Sequence, residues 1–329
     1  MYKEEKSYKD LLILLYIGAP GNREEIRTFI LNIFSDKEAI DLKVPLFLQK
    51  LIAKLIAKIR LNKIGYIYSS MFKDKSPQIN ILESFIEKLK KKYNESEDRE
   101  LIVKCGMCYT PPYIEDIFND GLIDPVERVF LFTLYPHYSY STAGVCLKRF
   151  FKTALPTPPF KKIKAYAYWY NNEQFNDLIK EKIILATNKI NTTINETVLL
   201  FTAHALPDYT LAKGDIYSQQ LKEHVNLVLD LLKPQVPIKH YLTYQSKATY
   251  GKWLTPSTEK IVEELIKIKV KKVVFIPITF ISDHIETVYE IDKLYIKKLK
   301  EHNIEAIRIE NFNDSDAFVE VFYGMLYEK

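Results

Sequence analysis

Short, unbroken apolar runs alternate along the chain with stretches whose apolar residues recur at helical spacing. LLILLYIG, residues 11–18, precedes REEIRTFILNIF, and RVFLFTLYP, residues 128–136, precedes the stretch after STAG. The second half repeats the arrangement with KIKAYAYW, ETVLLFTAHALP, KHYLTYQS, KKVVFIPITF and NIEAIRIEN, each followed by a helix-like segment. A run that is apolar at every position suits a strand covered on both faces, whereas a 3.6-residue period suits a helix lying on such a sheet. Strand and helix in alternation predict an α/β chain built on parallel sheets. In such sheets, residues that do chemistry collect beyond the carboxyl ends of the strands. That rule singles out His137 after FLFTLYP, His204 after VLLFTA, Gln245 and Ser246 after YLTY, and Asp283 and His284 after FIPITFI.

The segment TALPTPPFKKIK, residues 153–164, breaks both periods with proline, which fixes φ and removes a backbone donor. A domain crossover is expected there, giving an N-terminal α/β domain over 1–152 and a C-terminal one over 153–312. The terminal DSDAFVEVFYGMLYEK predicts a helix within 313–329, capped by Asp314 or Ser315 and packing back on the first domain. A length of 329 residues leaves room for two cores.

Composition narrows the function classes. With 47% hydrophobic and 27% charged residues the chain is an ordinary globular protein, not a disordered one. A net charge of +5 creates no overall basic field, so nucleic acid is not expected as a partner. The three cysteines, Cys105, Cys108 and Cys146, are too few for a disulfide framework and suit a reducing compartment. Cys105 and Cys108 form a CxxC without a second pair, which predicts core or rim thiols. The opening MYKEEKSYKD resembles neither a signal nor a transit peptide, and no run approaches the ~20 apolar residues of a membrane span. An intracellular location is the expectation.

Two stretches carry chemistry suited to protons and metals. His204 stands where a strand ends, just before Pro207; an imidazole with an ordinary pKa of about 6.5 can take a proton or ligate a metal. A histidine bonded only to backbone fits the same place. SDHIETVYE, residues 282–290, has a structural explanation in which Ser282 or Asp283 caps a helix and a glutamate completes a capping box. Yet Glu286 and Glu290 are four apart, a spacing at which like charges repel by about 0.2–0.5 kcal/mol and a cation would relieve them. His204 and Glu286 come from the ends of different strands in one half of the chain, so a parallel sheet can point both into one cleft. In GDIY, Gly214 and Asp215 mark a turn and a helix cap. In VPLFLQKLIAKLIAKIRLNK, residues 44–63, Lys50, Lys54 and Lys58 recur every four residues, with Leu48, Leu51, Ile52, Leu55, Ile56 and Ile59 on the remaining face. Such a helix can lie in a membrane interface or line a pocket for an apolar anion; a core-packed helix with a solvated lysine face fits equally.

Taken in order, TAHALP with GDIY, YQSKATYGKWLTPST and FIPITFISDHIETVYEID resemble the ferrochelatases, which insert ferrous iron into a porphyrin. The likeness extends to LLILLYIGAP, KSPQI, MCYTPP and FTLYPHYSYSTAG, and so covers most of the chain. The resemblance implies two similar Rossmann-like domains, each a parallel four-stranded sheet flanked by helices, with a porphyrin cleft between them. It implies His204 as proton acceptor and Glu286 as metal-site carboxylate, both touching the metal, with Asp283 and His284 in support and Glu290 extending an acidic path. Ile17, Tyr109, Tyr138, Ser139, Gln245, Ser246, Lys247 and Trp253 are the implied porphyrin contacts. Helix 44–63 resembles the family's lip at the mouth of the cleft, which touches membrane in several members.

The resemblance further implies Fe²⁺ as substrate metal, no bound organic cofactor, no iron–sulfur cluster and a monomer or weak dimer. The implied location is the cytoplasm, with association at the cytoplasmic face of a membrane. Cys108 stands where the family commonly has arginine, and Leu294 where it has its outermost acidic residue. Ile17 precedes Gly18, a place where users of coproporphyrin III typically carry tyrosine, which favours protoporphyrin IX. Other readings are a coproporphyrin III ferrochelatase, a cobalt or nickel chelatase for a sirohydrochlorin-like ring, and a non-catalytic porphyrin or haem carrier. The apolar lip argues against a many-carboxylate ring, and the retained His204 and Glu286 argue against a carrier, which removes no protons.

Overall fold

In the computed structural model, the described residues are 8–72, 76–117, 119, 126–154, 163–232, 237–247 and 251–327. The proline-rich part of the expected crossover, at 155–162, lies outside them. The chain forms two compact units, Met1–Trp169 with Asp314–Lys329, and Tyr170–Asn313.

The first unit runs β1 (Tyr8–Tyr16), α1 (Arg23–Ser35), α2 (Leu46–Phe72), α3 (Pro77–Ser96), β2 (Arg99–Met107), β3 (Val126–Thr133), α4 (Val145–Ala154) and β4 (Ile163–Tyr166). Its strands are all parallel, in the order β2-β1-β3-β4. Leu11 to Leu15 of β1 are all buried, because helices cover the central strand on both faces. The strand written IKAY belongs to this sheet, paired with β3, and Trp169 ties its end to Thr133 O at 3.0 Å. The division between units therefore falls after Trp169, not within the prolines. Gly18 turns the chain after β1 at φ +135°, where a Cβ would also strike the Thr110 hydroxyl.

Sequence pattern and packing part company at α2. The leucines were expected to define a face opposite the lysines, but the buried stripe is Gln49, Ala53 and Ala57. Gln49 donates from Nε2 to Phe34 O at 2.9 Å and Ile40 O at 2.8 Å, and the small alanines allow a close approach to α1. Leu51, Leu55 and Ile59 are left exposed beside Lys50, Lys54 and Lys58.

The second unit runs α5 (Glu173–Lys189), β5 (Val198–His204), α6 (Tyr209–Ala212), α7 (Tyr217–Leu232), β6 (His240–Gln245), α8 (Thr258–Lys267) and β7 (Lys272–Pro277). A π-helix (Ile285–Ile296), α9 (Lys297–Glu301) and β8 (Glu305–Arg308) complete it. The strands are again all parallel, in the order β6-β5-β7-β8, so both units share one topology. Between β5 and β7 the strand order reverses, the kind of switch point beyond whose carboxyl strand ends open α/β sheets place their ligands.

α10 (Asp316–Tyr327) returns to the first unit and packs on α3. Phe85 meets Phe318 and Phe322 with ring centroids 5.5 and 5.3 Å apart. Asp314, expected as a cap, accepts instead from Ser84 Oγ at 2.6 Å and pairs with Lys88, docking the helix onto α3.

Candidate functional site

β5 ends at His204, which stands opposite Gln245 in the register of β6, and the next residue, Ser246, turns out of the sheet. β7 feeds the segment that starts the π-helix, so three chain crossings converge on the switch point. His204 Nδ1 lies 2.7 Å from Glu286 Oε2. Ser246 Oγ reaches both glutamates of the π-helix, at 3.1 Å from Glu286 Oε2 and 2.8 Å from Glu290 Oε2. Gln245 donates from Nε2 to Glu286 O at 2.7 Å and to Glu290 Oε2 at 3.3 Å. Behind them, Tyr217 Oη donates to His204 O at 3.1 Å.

The helix that carries the two glutamates is not capped by Ser282 or Asp283. His284 occupies the cap, its N–H donating to Thr287 Oγ1 at 3.0 Å. Asp283 points its carboxylate to Asn311 and Asn313, at 3.0 and 2.9 Å, and to Arg308 at 3.1 Å. It anchors the helix entrance to the end of β8. Wide i→i+5 turns are rare and often mark functional positions.

Proximity of the two sheet ends fixes the charges. Burial disfavours the His204 imidazolium, but the side chain is 40% exposed and the adjacent Glu286 carboxylate prevails, so its pKa stands above 6.5. Burial pushes Glu286 upward, yet the His204 charge, with help from His284 and Ser246, holds it down at about 2. Glu290 is driven the other way, to about 7, by burial and by the neighbouring Glu286 charge. Burial also lowers the pKa of His284, which packs against Phe280 at 4.6 Å between ring centroids. The result is a base beside an anion, followed by an acid that can take or release a proton near neutrality.

Among the described residues no group of three or more His, Cys, Asp or Glu side chains is arranged to hold a metal. His204 and Glu286 offer one nitrogen and one carboxylate, donors that Fe²⁺ accepts without being locked in place.

The remaining residues expected at the ring differ in how far their side chains are exposed. Tyr109 and Ser139 are fully buried and Gln245 is 1% exposed, so these side chains serve the interior. Gln245 orients the π-helix, and Tyr109 Oη donates to Asp36 Oδ2 at 2.9 Å. Ile17, Tyr138 and Trp253 are half-buried and Lys247 is exposed; Pro207 and Trp253 form an antiparallel bridge that joins the loops after β5 and β6. His137 is buried in the first unit. Cys108 and Cys146 lie in the core with their sulfurs 3.5 Å apart, while Cys105 is half-buried.

Sequence spacing gave no sign of Tyr217, Thr287 or Arg149. Arg149 donates to Cys108 O at 2.5 Å, pairs with Asp36 at 3.0 Å and covers the Tyr109 ring at 4.8 Å. It borders a shallow groove of about 440 Å³ in the first unit, shared with Asn32, Ser35, Tyr113, Glu115 and Asp116.

Comparison with known proteins bears on the whole chain. The family profile "Ferrochelatase" matches residues 9–329. Ferrochelatases of Aquifex aeolicus, Citrifermentans bemidjiense and Helicobacter pylori are 35, 32 and 31% identical to it. The alignments cover 94, 95 and 98% of this chain and 95, 96 and 93% of the relatives. Among solved structures, SirB from Bacillus subtilis with Fe³⁺ superposes with a TM-score of 0.56 at 11% identity, covering 97% of this chain and 94% of that one. At that identity the likeness establishes a shared fold of two parallel four-stranded sheets flanked by helices.

Proposed function

Because the chain belongs to the ferrochelatase family, and so is a metal-chelating enzyme that inserts metal into a porphyrin, we propose that it converts Fe²⁺ and protoporphyrin IX into haem. The single observation behind the residue assignment is the 2.7 Å contact of His204 Nδ1 with Glu286 Oε2 at the switch point of the second sheet.

The reaction requires that two pyrrole N–H protons leave as Fe²⁺ enters, so the net products are the metalloporphyrin and two protons. Held by Glu286 through Nδ1, the His204 ring keeps Nε2 to accept a pyrrole proton, and the carboxylate stabilises the imidazolium that forms. Glu286 serves as the carboxylate that meets Fe²⁺ at the ring, with Glu290 next on the acidic path. Asp283 and His284 act indirectly, by fixing where the π-helix begins. Binding that bends the macrocycle would expose its nitrogen lone pairs, and Trp253, Ile17 and Tyr138 are the side chains assigned to grip it.

Ile17 before Gly18 favours protoporphyrin IX over coproporphyrin III. The exposed Leu51, Leu55 and Ile59 beside Lys50, Lys54 and Lys58 suit the interface of an anionic membrane, which supports the reading of an enzyme associated with its cytoplasmic face. No helix of the described residues is long and apolar enough to cross a bilayer.

Anaerobic incubation of the full chain with Fe²⁺ and either porphyrin, followed by loss of free-porphyrin fluorescence, tests the assignment. Turnover with a higher kcat/KM for protoporphyrin IX is expected. A tight spectral shift without turnover would instead identify a carrier, and a preference for the four-carboxylate ring would reverse the substrate choice.

A further inference from the structure

We infer that Arg308 is a positioning residue that staples the π-helix to the sheet carrying His204 and so holds Glu286 in place, a role that rests on His204 and Glu286 being the reacting pair proposed above.

A single side chain grips the helix at two places. Arg308 Nε and Nη2 donate side by side to Asp292 Oδ1 and Oδ2, at 2.9 and 2.8 Å, while Nη1 stands 3.1 Å from Asp283 Oδ1. Asp283 precedes the cap residue His284 and Asp292 lies within the helix, so Glu286 and Glu290 fall between the two gripped points. The Arg308 side chain is only 11% exposed, and water and salt screen its contacts less than they would at the surface.

The foot of the staple is tied to the sheet. Arg308 ends β8 opposite Phe275 of β7, and Phe275 stands opposite Leu200 of β5, the strand that finishes at His204. Beyond Arg308 the chain keeps to the same path, with Ile309 N donating to Phe275 O at 3.0 Å and Asn313 N to Ile281 O at 2.9 Å. One row across three strands therefore sets the π-helix relative to the imidazole.

Wide turns explain why such a helix needs holding. They are rare and mostly single, yet here they run through Ile285–Ile296. Relaxation to ordinary α-helical turns would change the rise and rotation per residue and carry Glu286 Oε2 away from His204 Nδ1, now 2.7 Å from it. Arginine suits the task because its planar fork meets both oxygens of Asp292 and still reaches Asp283. Lysine brings the same charge as a single point and cannot reproduce that geometry.

Arg308→Lys and Asp292→Asn, each in the full-length protein, test the staple. Hydrogen exchange followed by mass spectrometry without substrate should be about fivefold or more faster over residues 283–296 in Arg308→Lys, with no change in the first unit. The kcat for inserting Fe²⁺ into protoporphyrin IX should fall about 10- to 100-fold, the effect of misplacing a reacting group by about 1 Å, while the porphyrin dissociation constant stays within twofold. Wild-type kcat in Arg308→Lys would overturn the inference, since charge alone would then suffice. So would a lowered urea midpoint with kcat per folded molecule intact, because that describes an arginine that only stabilises the fold. If Arg308→Lys does not fold, Asp292→Asn decides, and unaltered exchange over 283–296 with unaltered kcat overturns the staple. Should the wild-type chain insert no metal, the proposed function fails, whereas the exchange measurement still decides the staple, an unchanged rate over 283–296 overturning it.

Discussion

His204 Nδ1 and Glu286 Oε2 stand 2.7 Å apart across 82 residues of sequence, a hydrogen-bonded pair that joins the end of β5 to the start of the π-helix that follows the neighbouring β7. A base must be neutral to accept, and Glu286 raises the pKa of His204 by stabilising its charged form. The acid limb of kcat/KM for insertion should therefore lie above pH 6.5, with activity rising as the imidazole deprotonates. Glu286→Gln removes the stabilising charge, so the limb should move to lower pH as the maximum rate falls. A limb that stays in place would mean another group controls it.

His204→Ala should abolish insertion, by about 10²–10⁴-fold, while porphyrin binding measured by fluorescence quenching stays within a few-fold. An active variant would remove His204 from the mechanism.

Asp10 is fully buried in β1 and receives hydrogen bonds from Arg128, at 2.5 Å from Nη2, and from Tyr93 Oη, also at 2.5 Å. Asp10→Ala would strand the guanidinium. Loss of a buried pair typically costs about 3–5 kcal/mol, and because Arg128 is 36% exposed the lower end, about 3 kcal/mol, is expected. The urea midpoint should drop with an unchanged slope. A loss under about 1 kcal/mol would show that solvent satisfies Arg128.

His224 is buried among Tyr170 and Phe175, and burial lowers its pKa to about 3. In the unfolded chain the value returns to about 6.5, so the unfolded state binds the extra proton between these limits. Stability due to a neutral His224 is thus complete above about pH 6.5 and is lost as pH falls, by up to about 1.4 kcal/mol per pH unit. His224→Gln should flatten that part of the profile of unfolding free energy against pH. An unaltered slope would assign the acid sensitivity to other groups.

Lys50, Lys54 and Lys58 line the exposed side of α2 with Leu51, Leu55 and Ile59. Each basic residue near an anionic surface contributes about 1 kcal/mol, so the triple glutamine variant should bind phosphatidylserine vesicles on the order of 100-fold more weakly. Co-sedimentation at two salt concentrations measures it. Equal binding by both proteins would exclude this face as the contact.

Much of the fold was legible because a strand buried on both faces must be apolar throughout. That requirement is written into LLILLY and VLLF and needs no partner to be read. The pairing of β4 with β3 was not, since IKAY carries no mark of which sheet it extends. Nor was the orientation of α2, where a buried glutamine answering Phe34 and Ile40 carbonyls outranks the leucines in docking the helix. The cap at His284 in place of Ser282 or Asp283 depended on Asn311 and Asn313 claiming the Asp283 carboxylate.

The chain's own order of residues determined the α/β class, the strand ends at which His204, Gln245 and Ser246 stand, and the presence of an acidic helix near 286–290. Those features follow from local periodicity and from backbone rules that act over a few neighbours. Distances within the constellation were decided only when β5 and β7 became adjacent, because Coulomb coupling and hydrogen bonding fall away over a few ångströms. The raised His204, the depressed Glu286 and the Glu290 poised near neutrality therefore exist in the packed unit alone, with Ser246 bridging its two carboxyl groups.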